Sequence, residues 1–425
     1  MKMNTRIALF VVALLFAAVE MRAQESTAVR PRVVSPITQE KQKPAPPVPT
    51  APPLAKPSDT ATSLPIVEAE PQRKPAGPIT HFTPSLIQSR ITEARRMLKT
   101  RPVATAMSVP SIQFVTIAAL DRETAHTHFV TLSKETFLTK GAEVNAISSE
   151  GISLNVKILR ANGVNTALTI FTPEGKALAP LTIQYPIERG GKFLEMAYYT
   201  SAHPALLSKD LTRSGQSYVR SMLDLAASRL RDKGVAISPQ LVDVAERLCV
   251  VEHVDHQRFR DENRLALYDE IYSLFALNEL DTYRFSVSSA GAGGMVQMIP
   301  WAYNLVRSRH PGVGLIPDFV VGMRNHGNAL QAMLLYMHDT WNELTANDEV
   351  KYALGAKIAT PSELLAAGYN SNAAKLPGYL KRGGDGWRTL IPRETQMYLA
   401  IYKSFEGLVP MQTRMQPQEG TKGTK

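Results

Sequence analysis

The spacing of apolar residues changes near Thr200, and that change limits the folds open to this chain more than any other feature. Before it, apolar side chains recur at every second position: Ile152, Leu154, Val156 and Ile158 share one face, followed by Leu168 and Ile170. A period of two marks strands with one buried face. Asn162-Gly163 separates the two runs, and both residue types tolerate the positive φ of a type I′ hairpin turn. Further turns are expected at Pro173-Glu174-Gly175 and Gly190-Gly191. Residues 110–200 therefore predict a small antiparallel β module resembling a β-sandwich. It carries no catalytic constellation, which leaves a spacer or a binding module.

After Thr200 the period becomes helical. Ser238-Pro239 reads as an N-cap followed by proline at the first helical position, with Leu241, Val244, Ala245 and Leu248 on one stripe. Cys249 lies beside that stripe and reads as a small buried apolar residue. Helical character continues through Ala266–Leu280, Met298–Arg309, Ala329–Leu344, Pro361–Tyr369 and Glu394–Phe405. Residues 201–410 thus predict a mostly α domain, and the whole chain a multidomain α+β protein. The polar residues 411–425 are expected to form a loose tail.

The first residues have another purpose. Lys2 and Arg6 precede thirteen apolar residues, Ile7–Val19, which is the pattern of a secretory signal peptide over 1–23, with cleavage expected after Ala23. Thirteen helical residues reach about 20 Å, short of the roughly 30 Å hydrocarbon core, so no stable membrane span is expected after cleavage. Residues 24–81 form a tether: between Pro31 and Pro78 there are thirteen prolines, too few apolar side chains to offset ordering entropy, and an extended habit. Lys and Arg outnumber Asp and Glu by 48 to 38, giving a net charge of +10. Such a chain favours anionic partners. Export directs that preference to a cell-wall polymer, in a periplasm or outside the cell, and no basic stripe interleaved with aromatics argues for nucleic acid. With Cys249 the only cysteine, there is no disulfide framework and no cysteine metal cage.

The chemistry concentrates in Glu279-Leu280-Asp281, running on to Val287-Ser288-Ser289-Ala290-Gly291-Ala292-Gly293-Gly294-Met295-Val296-Gln297-Met298-Ile299-Pro300. A glutamate ends an apolar run, and small residues then allow close backbone approach before a new helix. A carboxyl at a buried helix end is poorly solvated and titrates high, as a general acid working near neutrality must.

These residues resemble the soluble lytic transglycosylases, enzymes with a lysozyme-like fold. The match rests on Ser288, Ala290-Gly291-Ala292, Gly294, Gln297 and Pro300, on Ala366-Ala367-Gly368-Tyr369-Asn370, and on Pro392-Arg393-Glu394-Thr395-Gln396-Met397-Tyr398. It covers residues 240–407. Carried over by position, it implies Glu279, twelve residues before Gly291, as the catalytic acid and base. It also implies Ser288, Met295, Gln297 and Ile299 along a saccharide groove, Tyr369 bonded close to the acid, Asn370 closing the groove, and Glu394 touching substrate. Leu280 stands where the family carries serine. The implied reaction cuts the β-1,4 bond between N-acetylmuramic acid and N-acetylglucosamine in peptidoglycan, with no cofactor and no metal. The competing readings are a hydrolytic lysozyme, with Asp281, Asp318 or Asp339 as second carboxylate, and a non-catalytic wall-binding protein. Glu252, His253, Asp255 and His256 read as an exposed helix start, and His126 and His128 as neighbours on one strand face; neither set has the spacing of a metal site.

Overall fold

The computed structural model describes residues 78–100, 112–280 and 291–415; the expected leader, most of the tether and Ser288 lie outside the described residues. Helix α1 (Pro84–Thr100) falls in a stretch with no sequence expectation, although Ile87, Ile91, Ala94 and Leu98 repeat at four, three and four residues and all are buried. The strands are β1 (Phe114–Leu120), β2 (Thr127–Ser133), β3 (Glu143–Ile147), β4 (Ser153–Arg160), β5 (Ala167–Phe171), β6 (Ala177–Arg189) and β7 (Lys192–Tyr199), with the short helix α2 (Lys134–Phe137) after β2.

They form one antiparallel sheet in the order β2-β1-β6-β5-β4-β3, with β7 also paired to β6. The sandwich expectation is corrected here. β6 runs from its pairing with β5 at Ala177 and Leu178 straight into its pairing with β1 and β7. A bridge between Val130 and Ser148 brings the outer strands β2 and β3 together, so the sheet curls into a nearly closed barrel. The register slips between Ala118 and Ala119, where β6 presents Pro180, which has no N–H to pair.

The turns divide by backbone. Gly190-Gly191 joins β6 to β7 with positive φ at both glycines, as a type I′ turn requires. Asn162-Gly163 does not form the expected two-residue turn. Only Gly163 has positive φ, and residues 161–166 make a longer loop in which Thr166 accepts from the Asn162 N–H and donates to the Gly163 carbonyl.

Beyond the barrel come α3 (Lys209–Asp232), α4 (Pro239–Val251), α5 (His256–Asp261), α6 (Arg264–Leu277), α7 (Pro300–Arg309), α8 (Phe319–Arg324), α9 (His326–Ala346), α10 (Asp348–Gly355), α11 (Pro361–Asn370), α12 (Leu376–Gly383) and α13 (Arg393–Leu408). Ser238 caps α4 by accepting from the Leu241 N–H at 3.3 Å. The helices enclose the largest core, but Leu274 of α6 packs into the barrel core, and Ala276 and Leu277 pack with α1, β1 and β6. Asn278 completes the join: its amide donates to the Thr200 carbonyl and its oxygen accepts from the Thr200 N–H. All described residues belong to one compact unit, Gln72–Lys425, so Thr200 marks a change of secondary structure within one body.

The expected loose tail starts later than residue 411. Arg414 is nearly buried and pairs with Asp224, Asp243 and Glu246, which fixes 411–415; residues 416–425 lie outside the described residues.

Candidate active site

Helix α4 is buried along almost its whole length and ends at Glu252, whose N–H bonds to the Leu248 carbonyl. It packs against α9, α11 and α13, and two of these carry the sequence motifs downstream of Pro300. Glu252 thus occupies the position that the sequence suggested for Glu279: a carboxyl terminating an apolar helix. The Tyr398 hydroxyl of α13 donates to Glu252 Oε1 at 2.5 Å. Burial pushes the Glu252 carboxyl up to about 8; the Tyr398 hydrogen bond opposes this rise and the charge of Glu394 adds to it. The negative end of the α4 dipole also disfavours a carboxylate there.

The next residue, His253, donates from Nε2 to the Met295 carbonyl at 2.8 Å and meets the ring of Phe275 edge-on. The Tyr369 hydroxyl, at the end of α11, donates to the Val296 carbonyl at 2.7 Å. Two consecutive carbonyls of the glycine-rich segment are therefore gripped by α4's end and by α11. The segment folds back on itself through the Gly293 N–H and the Met298 carbonyl. Gly294 is required by its surroundings as well as by its φ of 70°: a Cβ there would lie 2.3 Å from the Met323 carbonyl oxygen. Gln297 adopts a φ of 47° without being glycine and donates from Nε2 to the Gly294 carbonyl. Such backbone strain persists only where its surroundings hold it.

The expected site residues separate into groups. Tyr369, Gln297, Ile299 and Asn370 are half-buried around this segment. The Asn370 Oδ1 is buried without a hydrogen-bond partner. Met295 is wholly buried, so its side chain belongs to the core and does not line a groove. Glu394 is exposed in the first turn of α13.

Glu279 lies elsewhere. Helix α6 stops at Leu277 because Asn278 turns to Thr200, leaving Glu279 outside the helix and exposed. Neighbouring protein still withdraws enough water to raise its carboxyl above the usual value. Among the described residues it neighbours Tyr218, whose hydroxyl accepts from the Leu280 N–H and shares a hydrogen bond with Nδ1 of His326, a ring that burial pushes down to about 4. No hydrogen bond or ion pair joins Glu279 to Gln297, Tyr369, Asn370 or Glu394.

Glu252 and His253 are not the exposed helix start expected of them: they are half-buried at the end of α4, and Asp255 alone starts the next helix, capping α5 by accepting from the Gln257 and Arg258 N–H groups. The available signal was the unbroken apolar run Leu248-Cys249-Val250-Val251 before Glu252. Cys249 is buried as expected, its thiol pushed up by burial. Among the described residues no group of three or more His, Cys, Asp or Glu is placed to hold a metal ion, and no helix is long and apolar enough to cross a membrane. Comparison with known protein families, characterised proteins and solved structures finds no match for this chain.

Proposed function

We propose that this chain is an exported peptidoglycan lytic transglycosylase whose helical part is lysozyme-like and whose substrate is the glycan strand of the cell wall. The observation that supports the reading is convergence. The three segments whose sequences resemble that family, around Gly291–Pro300, Ala366–Asn370 and Pro392–Tyr398, meet in space around a high-titrating carboxyl.

The chemistry asks for one group able to give and then take a proton. The acid protonates the bridging oxygen, the bond from that oxygen to C1 of N-acetylmuramic acid breaks, and the electron pair leaves with the departing sugar. The muramic 6-hydroxyl then bonds to C1 and returns its proton to the carboxylate. No water is consumed. Two glutamates meet the chemical requirement: Glu279 by its register with Gly291, and Glu252 by its contacts.

A hydrolytic lysozyme needs a second carboxylate to handle water. Asp318 is engaged in capping α8, Asp339 is paired with His310 and Arg309, and Asp281 lies outside the described residues. The charge of Glu394 does reach Glu252, so the product decides between the two reactions. Digestion of purified peptidoglycan by the full chain should release ends of 1,6-anhydro-N-acetylmuramic acid, each lighter by one water than the hydrolytic product. Reducing ends would favour the lysozyme, and intact peptidoglycan a binding protein.

A further inference from the structure

We infer that Glu252 is the proton donor and acceptor of this site, with Tyr398 as its positioning residue, and that Glu279 is not. The inference rests on the glycan-cleaving reading above and deepens it.

Among the described residues, every carboxylate that is buried or half-buried has a lysine or arginine partner, with one exception. Glu93 has Arg90, Asp121 has Lys176, Glu195 has Arg324, and Asp243 and Glu246 share Arg414. Asp269 has Lys209, Glu270 has Arg160 and Arg258, Asp339 has Arg309, Glu349 has Lys381, and Glu363 has Arg388. Glu252 alone has none. Withdrawing an unpaired carboxylate from water is costly, so a carboxyl kept this way is kept neutral.

A neutral carboxyl has a proton to give. Tyr398 occupies Oε1, and among the described residues no other side-chain hydrogen bond engages Glu252, which leaves Oε2 for a substrate oxygen. The residue keeps some exposure and its Oε2 is not among the wholly buried unpartnered oxygens, so that oxygen is within reach of a ligand. The groups facing it are Cys249 from its own helix, Tyr369 from α11, and Tyr398 and Glu394 from α13; none is a cation. Tyr369, Tyr398 and Glu394 belong to the segments that carry the motifs. Glu279, by contrast, faces Tyr218 and shares no hydrogen bond or ion pair with them.

The proton balance follows. Glu252 Oε2–H passes its proton to the glycosidic oxygen as the bond to C1 breaks. The resulting carboxylate is steadied by the Tyr398 O–H and takes the proton of the 6-hydroxyl as the bond from that oxygen to C1 forms. The acid is restored, and no oxidant, metal or water enters.

The test uses the full chain with purified peptidoglycan as substrate and chitotetraose as the binding probe. Glu252→Gln should cut turnover by about a hundred- to ten-thousand-fold while chitotetraose still binds. Tyr398→Phe and Glu394→Gln supply a readout that lost packing would not produce. A general acid works only while protonated, so activity falls on the alkaline side as Glu252 ionises. Removing the Tyr398 donor removes a contact that favours the carboxylate and should move that alkaline limb to higher pH. Removing the Glu394 charge should move it to lower pH. Wild-type turnover by a folded Glu252→Gln chain, above all alongside an inactive Glu279→Gln chain, would overturn the assignment and leave the transglycosylase reading standing. If Glu252→Gln does not fold, unmoved limbs in the other two variants overturn it equally. Intact peptidoglycan after treatment with the wild-type chain overturns the functional reading and this assignment with it.

Discussion

Replacing Glu252 by Gln should stabilise the protein in alkali, by an amount that its surroundings determine. The carboxyl titrates near 4.5 when free and at about 8 in the folded protein, chiefly because burial penalises its charge. Between those values the folded chain holds a proton that the unfolded chain has released. Stability from this group is complete below about pH 4.5 and is lost as pH rises through 8. At about 1.36 kcal/mol per pH unit, the ceiling is about 5 kcal/mol, and the residual solvent contact of a half-buried residue brings the expected loss to about 2 to 4 kcal/mol. Glutamine keeps the shape and can still accept from Tyr398, but it has no charge to desolvate. Urea unfolding of both proteins should give similar stabilities at pH 5 and a variant more stable by about 2 to 4 kcal/mol at pH 9. A gap that does not change with pH, or a wild-type chain that is the more stable at pH 9, would refute the claim that Glu252 is held neutral by burial.

Three further outcomes follow from packing. Gly294→Ala should cost more than about 3 kcal/mol in urea unfolding, since its Cβ would strike the Met323 carbonyl, whereas Gly163→Ala, whose Cβ meets open space, should cost about 1 to 2 kcal/mol from φ alone. A chain starting at Ser201 should show no cooperative unfolding, because Leu274, Ala276 and Leu277 would lose the barrel and α1 that cover them; a sharp transition would make the helical part an independent domain. Arg414→Ala strands Asp243 without a cation and should cost about 3 kcal/mol, and truncation after residue 410 should cost as much; no loss in either would make the tail contact a surface ornament.

Local structure was legible where one short-range signal decided it. The alternation of Leu154, Val156 and Ile158 predicted a buried strand face, and Ser238-Pro239 predicted the start of α4. What escaped the sequence depended on distant partners. Closure of the sheet needs Val130 against Ser148 and a β6 long enough to serve both halves, neither of which a local pattern reveals. Asn162-Gly163 misled because Thr166 offers the loop a side-chain partner that outcompetes a tight turn. At the site, motif register pointed to Glu279, whereas the end of α4 lies before the helices α5 and α6, which separate Glu252 from the glycine-rich segment in sequence but not in space. Tyr369 and Tyr398 were legible as motif residues; their convergence on Glu252 was not.

The central claim is that the muramic 6-hydroxyl, and not water, closes the reaction. Digesting purified peptidoglycan in water enriched with heavy oxygen tests it most directly. The account predicts that every newly released muramic end carries only ordinary oxygen and is lighter by one water than a reducing end. One heavy oxygen in each new reducing end would contradict it and make the protein a hydrolase.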